Sequence, residues 1–197
     1  MSDLAPKKEE NGRYFTYADY RQWELKEGER YELVKGAAYA MAGPNDAHQA
    51  ISGEIFRQIA NYLHGKPCKV RSAPYDVRLF FEEDESDDTV VQPDISVICD
   101  PKKLGPEGCR GAPNLVIEIL SPSNSSAEYL RKLNLYLKAG VREFWAVSPD
   151  DKTVQVSIFE EDVNTWKTYE AGTVLPSIAI EGLSVNLSDV FAEQAKS

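Results

Sequence analysis

The chain has 197 residues, 42% of them hydrophobic and 10% aromatic, which is enough to bury a core and too apolar for a disordered polypeptide. Its formal net charge of -10 argues against broad non-specific binding to nucleic acid, whose affinity comes from lysines and arginines that displace counterions, but leaves room for a small basic groove. No apolar run reaches the length of a membrane span and the opening MSDLAPKKEENGR lacks the apolar core of a signal peptide, so the cytoplasm is the expected compartment.

Residues 1–13 are expected to form a flexible tail and 14–197 a single domain. Thr16 is placed to cap a helix with Asp19 three positions on, and that helix should end near Gly28, with Tyr17, Tyr20 and Trp23 along one side. ERYELVKGAAYAMAG reads as a hairpin: Tyr31 to Val34, a tight turn at Lys35-Gly36, then Ala37 to Met41, with Glu32 among apolar neighbours. Asn45 or Asp46 caps a second helix running to about His64. Its buried face is Ile51, Ile55, Ile59, Tyr62 and Leu63, and His48 shares that face near the start. Strands are predicted at Cys68–Arg71 and Tyr75–Phe81, the second alternating Val77, Leu79 and Phe81 against Arg78 and Phe80. The acidic run Glu82 to Asp88 reads as a solvated loop. Three cysteines, Cys68, Cys99 and Cys109, form no CxxC pair, so reduced thiols and no zinc are expected.

Val90-Val91 and Asp94 to Cys99 read as strands, and residues 100–113, with three prolines and three glycines, as a loop. Leu115–Leu120 is a buried central strand interrupted by Glu118. Ser125 or Ser126 caps a helix to Lys138 closed by Gly140, with Leu130, Leu133 and Leu137 packing down and Lys132 and Tyr136 on an adjoining face. Glu143 to Val147 is a further buried strand, so the strand–helix–strand unit implies a right-handed crossover and a parallel pair. Strands follow at VQVSIFE, WKTYE and SIAI, with turns at Val163-Asn164 and Ala171-Gly172, and Leu187-Ser188-Asp189 opens a short final helix.

Glu118 is the residue that needs explaining, because a bare carboxylate in a core is costly unless it is paired or bound to metal. If the strands carrying Asp94 and Glu118 are neighbours, the two carboxylates converge. With the Ile119 carbonyl they make an oxygen site suited to Mg²⁺ or Mn²⁺ and to phosphodiester hydrolysis. Lys132 could orient water or offset transition-state charge, its stem crossing apolar surface to reach the site. The alternative is structural: Glu118 pairs with Lys132 or Arg131, and Asp94 caps a turn after Pro93. His48 and Tyr136 read first as packed residues, and Ser121 and Ser123 as turn residues with no hydrolase histidine beside them.

QPDISVI, PNLVIEILSPSN, the run holding Lys132, Tyr136 and Gly140-Val141, and EFWAVSP, with YELVKG and His48-Gln49-Ala50-Ile51 upstream, resemble the Uma-two family of restriction endonucleases. That family is a branch of the PD-(D/E)xK nuclease superfamily. The resemblance runs from about Thr16 to Pro149. It implies an α/β, restriction-endonuclease-like fold, a mixed central β-sheet flanked by helices with an added antiparallel hairpin region. It implies that Asp94 and Glu118 bind metal, Mg²⁺ or Mn²⁺, with Glu32 as an additional acidic residue. The superfamily lysine two residues after Glu118 is replaced here by Leu120, and Lys132 on the following helix takes its role. The function expected is a metal-dependent DNA endonuclease, acting as a homodimer because two strands need two sites. Two other readings stand beside it: an inactive nuclease fold that binds nucleic acid or protein, and a hydrolase of smaller phosphoesters.

Overall fold

A computed structural model describes residues 13–121, 126–160 and 163–192. In chain order it contains α1 (Tyr17–Tyr20), β1 (Tyr31–Val34), β2 (Ala37–Ala40), α2 (Asp46–Leu63), β3 (Lys69–Ser72), β4 (Val77–Arg78), β5 (Val90–Val91) and β6 (Ile95–Ile98). There follow β7 (Leu104–Gly105), β8 (Gly108–Arg110), β9 (Leu115–Ile119), α3 (Ser126–Ala139), β10 (Glu143–Ser148), β11 (Thr153–Glu160) and β12 (Val163–Glu170). The last elements are β13 (Val174–Pro176), β14 (Ser184–Asn186) and α4 (Leu187–Val190).

The strands form two six-stranded sheets, in the orders β2-β1-β5-β4-β8-β7 and β12-β11-β10-β9-β6-β3, and the small pair β13-β14. The second sheet is mixed: β9 and β10 run parallel and its other pairs antiparallel, as a helical crossover between β9 and β10 demands. The architecture is α/β, mixed sheets flanked by helices.

Alternation along the strands sorts this second sheet into two faces. Ile95, Val97, Leu115, Ile117, Ile119, Trp145 and Val147 pack with the α2 isoleucines and with Leu175, Val185 and Leu187 from the end of the chain. Ile98, Val116, Phe144 and Ala146 face the other way, against Leu135 and Tyr136 of α3 and against Val34, Val77 and Val91 of the first sheet. Of the chain's passages from the first sheet to the second, the one between β5 and β6 is made by only three residues, Gln92-Pro93-Asp94.

Several sequence expectations hold. Thr16 and Asp19 form a capping box, Asn45 caps α2 through the His48 N–H, and Lys35 and Gly36 turn the hairpin with positive φ. Others need correction. The first helix does not reach Gly28. It stops at Tyr20, after which Trp23 packs its ring against Phe15, Tyr20 and Tyr31 at 5.3, 5.0 and 5.9 Å. The strand predicted over Tyr75–Phe81 shrinks to β4, because Arg78 turns inward to a buried ion pair with Asp87, between the rings of Tyr17 and Phe81. Asp87 is therefore buried, although the acidic run reads as solvated.

Residues 100–113 hold more than a loop. A 3-10 turn at Pro101–Lys103 leads into the hairpin β7-β8, and β8 adds to β4 in parallel. Gly108, at φ 135°, is needed there because any Cβ would strike the Asp76 carbonyl. SIAI is no strand, since residues 177–180 wrap a buried carboxylate described below. Leu130 is 52% exposed rather than packed, because α3 turns Leu135 and Tyr136 inward instead, with the Tyr136 ring 5.2 Å from that of Phe144. Ser125, one of the two proposed caps of α3, lies outside the described residues. Val163-Asn164 is no turn: the two residues open β12, paired with Glu160 and Phe159 of β11.

Cys68 and Cys99 are joined as a disulfide, against the expectation of reduced thiols. The β3–β6 register sets Lys69 opposite Ile98, so the next pair outward is Cys68 and Cys99. Strand pairing, which the cysteine spacing does not encode, brings them together. Cys109 is free and buried, and burial pushes its thiol up to about 11. Among the described residues, no helix is long and apolar enough to cross a membrane.

Candidate active site

Four elements and the crossing between the sheets converge on one cluster. β6 and β9 are antiparallel neighbours, with Ile95 opposite Ile117 and Ser96 opposite Val116. One step further along the same register sets Asp94 across from Glu118, on the face that α3 covers. Glu32 comes from β1 of the first sheet, and its Oε1 accepts the Gln92 N–H at 3.2 Å, at the point where the chain crosses between sheets. Lys132 and Tyr136, one helical turn apart on α3, reach down to the same carboxylate. Lys132 Nζ lies 3.0 Å from Glu118 Oε1 and 3.4 Å from Glu32 Oε1, and the Tyr136 hydroxyl donates to Glu118 Oε1.

Asp94 is held from two sides. Its Oδ2 accepts the Ile119 N–H at 2.7 Å and stands 3.1 Å from His48 Nε2, which arrives from the first turn of α2. Leu120 N–H donates to the Val147 carbonyl on β10, so the N–H and C=O of the preceding Ile119 turn the other way, toward β6. The residue opposite Ile119 in that register is Pro93. Having no N–H, it cannot offer the Ile119 carbonyl a ladder hydrogen bond.

The cluster lies on an open cleft of about 1050 Å³. Burial drives the Glu118 carboxyl up to about 7, with Lys132 opposing the shift and Asp94 and Glu32 adding to it. Burial would by itself lower the Lys132 pKa, but Glu118 and Glu32 outweigh it and hold the ammonium charged well above its ordinary range. Burial, with Glu118 beside it, likewise keeps the Tyr136 phenol protonated. The result is a cation gripped by two carboxylates beside a third, with a hydroxyl as an additional donor.

All the residues singled out in the sequence therefore meet: Glu32, Asp94, Glu118, Ile119 and Lys132 share the cleft. Among the described residues, no set of three or more His, Cys, Asp or Glu side chains is grouped to hold a metal ion. The oxygen donors that suit a hard divalent cation are Asp94, Glu118 and the Ile119 carbonyl, two side chains and a main-chain group. His48 and Tyr136, read first as packing, both contact the acidic cluster. Their signal in the sequence was position: His48 in the first turn of a helix whose apolar face is buried, and Tyr136 one turn after Lys132. Of four cations that could ring the carboxylates, Arg131 lines the cleft, whereas Arg78 is committed to Asp87, Arg71 lies over the Tyr75 ring and Lys69 donates to the Lys66 carbonyl.

One buried carboxylate went unnoticed in the sequence. Glu143, at the start of β10 and fully buried, accepts from Trp145 Nε1 at 2.8 Å with Oε1. Its Oε2 accepts from Ser177 Oγ at 2.6 Å and from the N–H groups of Ile178 and Ala179 at 3.0 and 2.8 Å. These four donors satisfy it without an ion, and it takes no part in the cleft.

An uncharacterized protein of Synechocystis sp. (strain ATCC 27184 / PCC 6803 / Kazusa), slr1290, is 30% identical over 118 residues, 60% of each chain. The chain thus spans about 60% of the length of that curated relative. Among solved structures, the crystal structure of "a putative nuclease belonging to DUF820" from Anabaena variabilis ATCC 29413 matches with a TM-score of 0.70 at 22% identity, over 90% of this chain and 98% of that one. At that identity the likeness is one of fold. A family model described as "Putative restriction endonuclease" matches residues 17–188, and on that match the chain belongs to the Uma2 family.

Proposed function

We propose that the protein is a metal-dependent endonuclease that hydrolyses phosphodiester bonds of DNA at this cleft. The observation that carries the reading is the placement of Asp94 and Glu118 side by side on neighbouring strands, with the Lys132 ammonium 3.0 Å from Glu118. Asp94, Glu118 and the Ile119 carbonyl would hold Mg²⁺ or Mn²⁺. Such an ion supplies charge to the scissile phosphate and makes a water more acidic. Glu32 anchors the Lys132 ammonium together with Glu118 and serves as the auxiliary acidic residue. Lys132 presents a fixed positive charge beside the phosphate oxygens and orients the attacking water, preorganised by two carboxylates so that little rearrangement is needed in the transition state. His48 and the Ile119 N–H fix the Asp94 carboxylate. Cutting both strands of a duplex takes two such clefts, so the active species is a homodimer.

The test is nicking of supercoiled plasmid DNA with Mg²⁺ or Mn²⁺. Wild type should cut, while Asp94→Ala and Lys132→Met should lose about 100-fold or more in rate. Equal rates for wild type and Asp94→Ala would overturn the reading. A second reading, a nuclease fold that binds nucleic acid or protein without cutting it, is favoured by one observation: Lys132 already neutralises Glu118. Calorimetry with Mn²⁺ separates the two, because the first predicts a site that is lost in Glu118→Ala and the second predicts none.

A further inference from the structure

The cleft carries an arginine that neither the acidic cluster nor the packing accounts for. Arg131 precedes Lys132 on α3, so the two side chains leave the helix about 100° apart. Lys132 goes down to Glu118 and Glu32. Arg131 goes sideways to β2, where its guanidinium carbon lies 4.5 Å from the centre of the Tyr39 ring. Both Arg131 and Tyr39 line the cleft. Arg131 NH1 is buried and has no hydrogen-bond partner. A charged N–H in that state is costly, and a ring face compensates it only in part. Among the described residues no carboxylate forms an ion pair with Arg131, although Glu32, Asp94, Glu118, Glu128 and Asp150 line the same cleft.

We infer that Arg131, braced by Tyr39, receives a phosphate of the nucleic-acid strand next to the one held at Asp94 and Glu118. The inference rests on the nuclease reading and adds a substrate-positioning residue to it. In a chain with a net charge of -10, a guanidinium that makes no ion pair with the carboxylates lining its cleft is still available to pair with an anion entering from outside. Lys132 is fixed elsewhere: two carboxylates hold its ammonium at the acidic cluster, so it serves the phosphate at that site and leaves the neighbouring one to Arg131. The planar fork of arginine matches two phosphate oxygens, and stacking on Tyr39 limits its rotamers before the substrate arrives. Tyr39 is 42% exposed and Arg131 is half-buried, so the pair is reached from the solvent side of the cleft. Arg131 supplies register and affinity, and takes no part in the bond-breaking step.

The experiment measures binding of a fluorescein-labelled duplex oligonucleotide by anisotropy across a salt series in EDTA, Mn²⁺ affinity by calorimetry, and KM and kcat for cleavage. It compares wild type, Arg131→Gln, Arg131→Lys and Tyr39→Leu. Arg131→Gln should weaken DNA binding about tenfold and flatten the slope of log K against log salt by about 1, leaving Mn²⁺ affinity unchanged. Tyr39→Leu and Arg131→Lys should fall between the two, with KM raised and kcat nearly constant. Tyr39→Leu leaves α3 intact and covers the case in which Arg131→Gln fails to fold. Arg131→Gln or Tyr39→Leu binding DNA as wild type does, at the same salt slope, would overturn the inference while leaving the nuclease reading in place. Wild type that neither binds nor cuts DNA would sink the nuclease reading, and this inference with it.

Discussion

Replacing Lys132 by Met removes a side chain that touches both Glu118 and Glu32 while keeping its apolar stem. Lys132 is 14% exposed and both carboxylates are more deeply buried, so the pair behaves as an interior ion pair. Deleting one partner of such a pair costs about 3–5 kcal/mol, because a charge is left without compensation. For a chain of this size, at about 2–4 °C per kcal/mol, that lowers the melting temperature by about 6–20 °C. The loss should depend on pH. Glu118 titrates at about 7 in the fold against an ordinary 4.5, chiefly through burial. A carboxyl raised in this way contributes stability that is complete below about 4.5 and disappears as pH rises through about 7. Lys132 opposes that rise, so without it Glu118 holds its proton to higher pH. The deficit of the variant against wild type is then largest above pH 7 and shrinks toward pH 5. Urea unfolding of both proteins at pH 5.5 and 8.5 measures this. Mn²⁺ at about 100 times its dissociation constant should return roughly 2.7 kcal/mol to the variant at pH 8.5, since it stands in for the missing cation. Equal stability of variant and wild type at pH 8.5 would refute the account of Lys132 as the counter-ion of the buried carboxylates.

Three further outcomes follow from the same geometry. Mn²⁺ loading requires the Glu118 proton to leave, so calorimetry should find affinity about tenfold weaker at pH 6 than at pH 8, and an affinity independent of pH would count against Glu118 as a ligand. Glu143→Gln turns an amide NH₂ toward one of the four donors around that carboxylate, which costs about 1–3 kcal/mol in denaturant unfolding and speeds hydrogen exchange at Ile178 and Ala179; cleavage rates below the unfolding midpoint should not change. Asp87→Ala strands the Arg78 guanidinium between Tyr17 and Phe81, so thermal unfolding should register a loss of about 3–5 kcal/mol, against almost none for Asp84→Ala in the same acidic run.

The strands and helices with strong periodicity were legible in the sequence. The face of α2, the buried β9 and β10 and the hairpin at Lys35-Gly36 each follow from local pattern and turn chemistry. The candidate site was legible as well, because a carboxylate inside Leu115–Leu120 contradicts its surroundings and needs a partner. What escaped was whatever depends on pairing across distance. Arg78 and Asp87 look like ordinary solvent charges until the fold closes them into a pair. Cys68 and Cys99 meet through a strand register that spacing does not encode. Glu143 was read only as the first residue of a buried strand, because three of the four donors that satisfy its carboxylate lie on a segment more than thirty residues later. Leu130 was misplaced for a different reason: with an ion cluster beneath α3, the helix turns Lys132 and Tyr136 inward at the expense of a leucine.

The crossing at Gln92-Pro93-Asp94 has a consequence for how this protein can fail. Glu32 belongs to one sheet, Asp94 and Glu118 to the other, and the three-residue bridge between them carries both the N–H that Glu32 holds and the carboxylate that faces Glu118. The cluster is thus a seam and not a patch. Loosening either sheet would pull apart the spacing of the charges before the rest of the core gave way, so cleavage should fade ahead of global unfolding. A fragment retaining only the sheet of β9 and β10 would keep two carboxylates but lose the anchor that steadies the lysine between them.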